Sequence, residues 1–343
     1  MRFTSFLAIV SLALPVLAQN GAEQDRTYYF TNPVSDAALS AAATAIRTVA
    51  DIQRIDLDRP HSAVVMRATV DKLTSAEWML QMLDRPAGSN TPTYGAAPEF
   101  RMPGKEDEAI RIFRFPDTAT VPDMTAMVTS MRTIADVQRL FPYEAQKAIV
   151  ARGPLDRVAA VEWLFHQLVP APGTTVADVS ADYSLPFLPR FPDNRIKIFR
   201  LHASATTADL TAMVTAIRTV ADLQRLFPYE AQTAIIAAGE PENIRAAEWL
   251  IHDTQQPKPA EGAHQLQAAA LSPQTGDSLV RIFYLPQAKN TGDLTPIVTR
   301  LRTEAGIQRL FPLASPQAII LRCRPDQMKL AEEIVSQAGA ALE

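Results

Sequence analysis

An internal repeat is the feature of this sequence that most restricts its fold. The segment RTVADIQRI, which begins at Arg47, returns as RTIADVQRLFP at Arg132, as RTVADLQRLFP at Arg218 and as RTEAGIQRLFP at Arg302. The spacings are 85, 86 and 84 residues. Even spacing of this kind indicates one structural unit that occurs several times along the chain. We therefore divide the chain into four modules rather than two or three unrelated domains.

The second module shows the expected order of elements. Apolar residues three and four positions apart predict helices over Met124–Ala135 and Val158–Leu168. Runs rich in β-branched and aromatic residues predict strands at Ala109–Phe115, Val137–Phe141 and Lys147–Arg152. The fold class is therefore α+β: each βαββα module has a small three-stranded sheet with two helices on one face, and its other face is left available. A unit of about 60 residues is marginally stable alone, so contacts between modules matter.

The module boundaries follow from the same patterns. The expected division is a signal peptide (1–18), module 1 (26–84), a linker (85–108), module 2 (109–169), a linker (170–194), module 3 (195–253), a linker (254–278) and module 4 (279–343). The linkers are rich in Pro, Ala, Gly and Thr and lack a sustained helical or strand pattern. Such a composition predicts extended segments, some of which lie along a module surface.

The N-terminus is typical of a secretory signal peptide. Arg2 supplies a positive charge, the apolar run Phe6–Leu14 follows, and Val16-Leu17-Ala18 suits a cleavage site. This run is shorter than the roughly 20 residues of a membrane-spanning helix. A buried N-terminal helix is the alternative. We expect an exported protein with no transmembrane segment after signal removal, located in the periplasm or, alternatively, secreted.

The composition argues against several classes of function. The 33 Lys and Arg residues are outnumbered by 37 Asp and Glu residues, whereas a nucleic-acid-binding protein usually presents a basic surface. The single cysteine, Cys323, excludes an intramolecular disulfide and a cysteine-rich zinc site. His166 and His252 occupy equivalent positions on the second helices, with no second histidine within a turn to share a metal. No nucleophile elbow, zinc-binding helix or phosphate-binding glycine loop occurs. We expect no catalytic residue, no cofactor and no metal.

The modules resemble a known family. The order βαββα, a helix that ends in RTxADxQR, a strand such as AIVARG and a second helix patterned VxxVxxLFxxL are similar to the short N-terminal domain of bacterial secretins, which has a KH-like fold. The resemblance covers all four modules. It implies periplasmic modules that stack by protein–protein contacts and touch components of secretion or pilus machinery. Two departures matter: the chain stops at Glu343 without the channel-forming region, and it lacks the Gly-x-x-Gly loop of RNA-binding KH domains.

Three tryptophans are the first candidate interface residues. Trp78, Trp163 and Trp249 each stand 31 residues after the repeat arginine, and the fourth module has Glu333 there. A helical projection at 100° per residue places each tryptophan opposite the apolar stripe of its own helix. We expect these side chains to join successive parts of the chain. Two alternatives remain open: each tryptophan lies under a loop of its own module, or it binds a separate partner.

Repeated arginines are the second set of candidate interface residues. They are Arg132, Arg218 and Arg302 at the start of the repeat motif, and Arg139 and Arg225 in the following strand. Arg132 and Asp136 are four residues apart, which favours a weak helical ion pair. The functional alternative is a guanidinium that meets a carboxylate or a carbonyl on a neighbour. Together these features predict a non-catalytic protein–protein interaction scaffold that either self-assembles or docks onto an envelope complex. The alternative is a ligand-binding protein, for example for a cell-wall glycan, that uses exposed aromatic residues.

Overall fold

The computed structural model describes residues 21–86, 88–174, 181–184, 195–256, 263–267 and 276–340. The signal peptide predicted at 1–18 lies outside these residues. The described chain is α+β, as predicted, and contains four small antiparallel sheets and eight α-helices.

The first two modules contain the following elements. Module 1 comprises β1 (Gln24–Tyr29), α1 (Asp36–Ala45), a π-helical turn (Ile46–Ala50), β2 (Arg54–Asp58), β3 (Ala63–Ala68) and α2 (Val70–Leu83). Module 2 comprises β4 (Glu99–Met102), β5 (Lys105–Arg114), α3 (Val121–Ile134), β6 (Arg139–Tyr143), β7 (Ala148–Pro154) and α4 (Leu155–Leu168).

The last two modules repeat this order. Module 3 comprises β8 (Ala181–Ser184), β9 (Arg195–Arg200), α5 (Thr207–Val220), β10 (Arg225–Tyr229), β11 (Ala234–Gly239) and α6 (Pro241–Thr254). Module 4 comprises β12 (Ala263–Gln267), β13 (Leu279–Tyr284), α7 (Thr291–Thr303), β14 (Arg309–Leu313), β15 (Ala318–Cys323) and α8 (Pro325–Ala340).

Local sequence signals fix both ends of the first helix in each module. In α3, Thr120 and Asp123 form a reciprocal capping box at the N-terminus. After the helix the chain turns through a left-handed residue, which is Asp136 (φ 55°) in module 2 and Gly306 (φ 65°) in module 4. Aspartate tolerates this conformation and glycine adopts it without steric cost. The exchange of Asp for Gly in the fourth repeat is therefore conformationally equivalent.

The linkers contribute strands, which differs from the expectation of extended segments without secondary structure. β4, β8 and β12 each pair antiparallel with the first strand of the following module. The sheets of modules 2, 3 and 4 are consequently four-stranded, and the predicted three-stranded sheet is found in module 1 alone among the described residues. Strands of four or five residues are too short to show a pattern in sequence, and they form only against an existing neighbour.

The modules stack on one another, so the expectation that the second sheet face is left available is wrong for three modules. We use the name outer sheet face for the face turned away from a module's own helices. The outer sheet face of each of modules 2, 3 and 4 packs on the helices of the preceding module. β6 lies against α1, β10 against α3 and β14 against α5. Three hydrophobic clusters consequently cross from one module to the next.

Candidate protein-interaction surfaces

The outer sheet faces of modules 2, 3 and 4 are apolar at equivalent register positions. The fully buried residues include Ile110, Ile112 and Val150 in module 2, Ile196, Ile198 and Ile236 in module 3, and Val280, Ile282 and Ile320 in module 4. A half-buried phenylalanine on the edge strand extends each face: Phe141, Phe227 and Phe311. Because burial of such side chains contributes about 1.5–3 kcal/mol each, these faces hold the modules together.

At every junction, an arginine guanidinium donates a hydrogen bond to a backbone carbonyl of the preceding module. The carbonyl lies at the C-terminus of that module's first helix or in the turn that follows the helix. Arg152 in β7 donates to the Val49 carbonyl at 3.0 Å. Arg322 in β15 donates to the Val220 carbonyl at 3.1 Å. Alanine occupies the equivalent position in β11, and Arg225 of the neighbouring strand β10 donates instead, to the carbonyls of Thr133 and Ile134. These last carbonyls of a helix lack partners within it, so they accept such donors readily.

A second polar contact recurs at the C-terminus of the preceding module's second helix. Arg114 donates to the Met82 carbonyl. Arg200 donates to the Gln167 carbonyl at 3.3 Å. In module 4 the equivalent residue is Tyr284, whose hydroxyl donates to the Asp253 carbonyl at 3.1 Å. Each junction is therefore fixed at the ends of both helices of the preceding module.

The structure places two of the three candidate tryptophans, Trp78 and Trp163, against the strand that follows their own module. The Trp78 ring in α2 lies 5.4 Å, centroid to centroid, from the Phe100 ring in β4. The Trp163 ring in α4 lies 5.2 Å from the Tyr183 ring in β8. Leu266 in β12 occupies the corresponding register position after Trp249. All three tryptophans are half-buried. Trp78 and Trp163 each cover a seam between a second helix and a linker strand.

The glutamate that precedes each tryptophan forms a repeated ion pair. It meets a basic residue on the strand that comes directly before the first helix of its own module. The pairs are Arg26–Glu77 at 2.9 Å, Arg111–Glu162 at 2.5 Å and Lys197–Glu248 at 2.6 Å. Module 4 retains the arrangement as Arg281–Glu332 at 2.5 Å. These pairs orient the second helix on its own sheet, beside the tryptophan.

The candidate arginines divide between internal contacts and exposed positions. Arg132 and Arg218 donate to the carbonyls of Leu140 and Leu226 in their own modules, at 3.0 and 3.4 Å. Arg302 on α7 is exposed, as is Arg139 on β6. Arg225 is the candidate that lies in a junction between modules. Its guanidinium contacts the preceding helix, as described above.

The ion pair expected between Arg132 and Asp136 is replaced by a different contact. α3 ends at Ile134, so Asp136 lies beyond the helix, where its carboxylate lies 3.7 Å from the Arg157 guanidinium. The equivalent residue in module 3, Asp222, faces module 4 and lies 3.0 Å from the Arg309 guanidinium. The repeat aspartate thus takes part in one junction between modules.

Sequence reasoning missed the buried junction arginines Arg152 and Arg322 and the apolar outer faces. A signal for both exists in the third strand of the βαββα order. β7, β11 and β15 read AIVA, AIIA and AIIL, continuous apolar runs without polar alternation. Such runs are typical of strands that are buried on both faces.

Carboxylates at the junction between modules 1 and 2 are held in their ionised form. A hydrogen bond from Lys72, helped by the charges of Arg139 and Arg152, lowers the pKa of Asp51. Burial raises the pKa of Glu108, but the hydrogen bond and charge of Arg152 lower it more, so it lies below the ordinary 4.5. These groups are consequently charged at neutral pH and stabilise the adjacent guanidinium.

The single cysteine, Cys323, is buried in β15. Cys323 is 1% exposed, and burial raises the pKa of its thiol to about 12, which suppresses the nucleophilic thiolate. Across the described ranges, no three His, Cys, Asp or Glu side chains converge on a position that could hold a metal ion. In the same ranges, no helix is both long and apolar enough to span a membrane.

The stack ends in polar surfaces on both sides. The outer sheet face of module 1 carries Asp25, Thr27 and Asp56 at the positions where module 2 has Ile110, Ile112 and Phe141. All three of these module 1 residues are exposed. At the opposite end, the α7 position that holds a fully buried Ala45, Ser130 or Ala216 in the other modules holds Arg300. Its side chain is 37% exposed.

Comparison with known proteins gives a weak structural similarity to secretins. No family model and no curated protein matches the chain. A solved structure titled Aeromonas hydrophila ExeD matches with 12% identity over 68% of this chain and 41% of that one, at a TM-score of 0.16. The secretin GspD of the type II secretion system of E. coli K12 matches with 13% identity over 67% and 39%, at a TM-score of 0.15. A pilotin–secretin AspS–GspD complex from ETEC matches with 11% identity over 66% and 37%, at 0.15. The chain spans about two fifths of the length of these structures, and the overall superposition is poor.

Proposed function

We propose that this protein is an exported, non-catalytic scaffold of secretin-like modules that works by protein–protein contact in the periplasm or outside the cell. The observation that carries the proposal is the continuous stack. The residues that hold the modules together lie in three junctions that share one arrangement. Among the described residues, no group of three or more His, Cys, Asp and Glu side chains could hold a metal ion. A rigid stack presents partner surfaces in fixed order and spacing, which is what a scaffold requires.

The surfaces available to partners are the two ends and the sides of the stack. At three of the four modules the outer edge strand carries a proline: Pro142 in β6, Pro228 in β10 and Pro312 in β14. Proline removes a backbone donor, so these edges are poor templates for an added strand. Along these edges, partner contact is therefore expected through side chains rather than by strand addition, and the ends of the stack offer further polar side chains.

Site-specific photocrosslinking in the native host tests this function. A photoreactive residue at Asp56 reports on the module 1 end, and one at Arg300 reports on the module 4 end. A residue at buried Ser130, inside a junction, is the matched control and should crosslink within the chain. We expect defined adducts with envelope proteins or with further copies of the chain at one end or both. Exclusive recovery of uncrosslinked monomer at both ends, under conditions that trap known envelope complexes, would contradict the scaffold function.

A cleft between modules 3 and 4 supports the ligand-binding alternative. It has a volume of about 370 Å³, and its lining includes Leu201, His202, Met213, Tyr284 and Leu313. This volume suits a small molecule. The glycan-stacking form of the alternative is less favoured, because Phe100 and Tyr183 cover the rings of Trp78 and Trp163. Protection of the module 3–4 junction from hydrogen exchange by added muropeptides would support ligand binding.

A further inference from the structure

The outer sheet face of module 1 keeps every hydrogen-bond donor type that a junction uses, although no module of the described chain covers it. Tyr29 occupies the position of Tyr284, and its side chain is 60% exposed. Arg54 occupies the position of Arg225, and Arg67 that of Arg152. Both arginines are exposed, and both lie beside Glu23, at 2.7 and 3.4 Å. The outer sheet face of module 1 is therefore equipped to meet the C-termini of two helices.

The same face differs from the other outer sheet faces in charge. Asp56 and Asp58 in β2 replace the phenylalanine and the tyrosine or leucine found at these positions in modules 2 to 4. β2 is the equivalent of β6, β10 and β14, the strands that lie against the preceding module's first helix. A first helix that docks here would have to place positive charge opposite β2.

The module 4 end presents that positive charge at the matching place. Arg300 stands on α7 where the earlier first helices carry a small residue, Ala45, Ser130 or Ala216, that is fully buried. Glu304 follows α7 at the position of Val49, Ile134 and Val220, whose carbonyls accept the junction guanidinium. Arg300 and Glu304 pair at 2.8 Å, which holds both side chains at this end.

We propose that the module 1 outer sheet face of one copy docks on the α7–α8 face of a second copy, head to tail. In this contact Arg300 meets Asp56 and Asp58, while Arg54 and Arg67 meet Glu304. The geometry repeats that of the internal junctions, with charge pairs in place of the apolar core. The proposal rests on the scaffold function and names its partner as another copy of the chain. Because a head-to-tail contact leaves a free end on each copy, it extends into an open filament or closes into a ring.

Salt dependence distinguishes this contact from an apolar one. Exposed ion pairs contribute up to about 1 kcal/mol each and are screened by salt. Most of these side chains must also leave a partner within the chain to meet one on the second copy. Arg54 and Arg67 leave Glu23, Asp58 leaves His61, and Arg300 leaves Glu304. The association is therefore expected at high protein concentration and low ionic strength, and is lost as salt rises.

Sedimentation velocity of the purified mature protein, with two charge-reversed variants, tests the proposal. At about 20 mM salt we expect the mean mass to rise with concentration, and at about 500 mM salt we expect monomer. Arg300→Glu alone should abolish association, and so should Asp56→Arg with Asp58→Arg. A mixture of the two variants should associate again, because each supplies an end that complements the other.

A matched control separates the docking surface from general charge effects. Arg324→Glu changes another exposed arginine of module 4, which is paired with Asp326 at 3.1 Å. The equivalent residues of modules 2 and 3 are Pro154 and Glu240. Both stay exposed although another module packs after them, so position 324 lies outside the docking face. This variant should associate like the wild type.

Three results would overturn the proposal: monomer at low salt across the concentration range, equal loss of association in Arg300→Glu and Arg324→Glu, or no recovery in the mixture. The outcome is separable from that of the scaffold function. A purified protein that stays monomeric, while Asp56 still crosslinks to a different envelope protein in the host, refutes self-docking and leaves the scaffold function standing.

Discussion

A pair of arginine variants measures how strongly one buried contact holds two modules together. Arg152 and Arg67 occupy the same position of the third strand in adjacent modules. The Arg152 side chain is 4% exposed, and it donates to the Val49 carbonyl and to Glu108. The Arg67 side chain is 52% exposed and faces Glu23 and Asp25. Substitution of each by methionine keeps most of the aliphatic packing and removes the guanidinium.

The expected loss of stability follows from burial. A buried carbonyl that loses a charged donor costs about 1.5–3 kcal/mol. Glu108 is 27% exposed and can be rehydrated, so its lost ion pair adds at most about 1 kcal/mol. Arg152→Met should therefore destabilise the junction by about 1.5–4 kcal/mol, which is roughly 10-fold or more in the opening equilibrium. Arg67→Met should change stability by about 0.5 kcal/mol or less.

Hydrogen exchange is the suitable assay, because it reports opening of one junction rather than of the whole stack. In Arg152→Met, amides of the turn at Ile46–Ala50 and of β6 should exchange faster, and those of module 4 should be unchanged. Denaturant titration of the same variants gives the overall loss of stability. Equal effects of the two substitutions, or uniform acceleration across all four modules, would refute the reasoning.

Three further predictions concern other parts of the stack. A double-mutant cycle of Trp163→Ala and Tyr183→Ala should give a coupling energy of about 0.5–1.5 kcal/mol in denaturant titrations, whereas a cycle of Trp163→Ala with the distant Tyr29→Ala should give none. The pKa of Glu108 is lowered in the folded chain, so its contribution to stability is complete above about pH 5 and is lost as pH falls through 4.5 and below. Glu108→Gln should flatten this part of the plot of stability against pH. An unchanged plot would contradict the role given to Glu108. The thiol of Cys323 should resist a thiol reagent at neutral pH until module 4 unfolds, and labelling at a rate independent of denaturant would show that it is accessible in the folded state.

The sequence predicted the elements within a module better than the contacts between modules. A helix expected over Met124–Ala135 lies at Val121–Ile134, because apolar spacing and the capping residues are local signals. The tryptophans were placed outside their own modules' cores by the same helical spacing, and the structure shows Trp78 and Trp163 against linker rings. Local periodicity was sufficient to predict the helix, and the role of the tryptophans as interface residues stays a prediction.

The linker strands and the stacking could not be obtained from local patterns. β8 has four residues, and it becomes a strand only by pairing with β9. Stacking requires an apolar sheet face in one module and a helix with a small residue in the module before it. The residues that meet in this way are about 90 positions apart in the sequence. The comparison of Asp56 with Phe141, and of Arg300 with Ser130, shows how the ends differ from the interior once the register is known.

The strand that each linker donates has a consequence for how the chain acquires its structure. Module 1 builds its sheet from its own segment alone. The sheet of every later module also uses a linker strand, and its apolar outer face packs on the two helices of the preceding module, which must already be in place. Folding is thus expected to advance from the N-terminus, in the order in which a chain leaves a ribosome or an export channel, with each finished module serving as the template for the next. An unfolded later module would leave an apolar helix face uncovered on its predecessor, so the stack is most vulnerable to aggregation while it is incomplete and best protected once the charged α7 is in place.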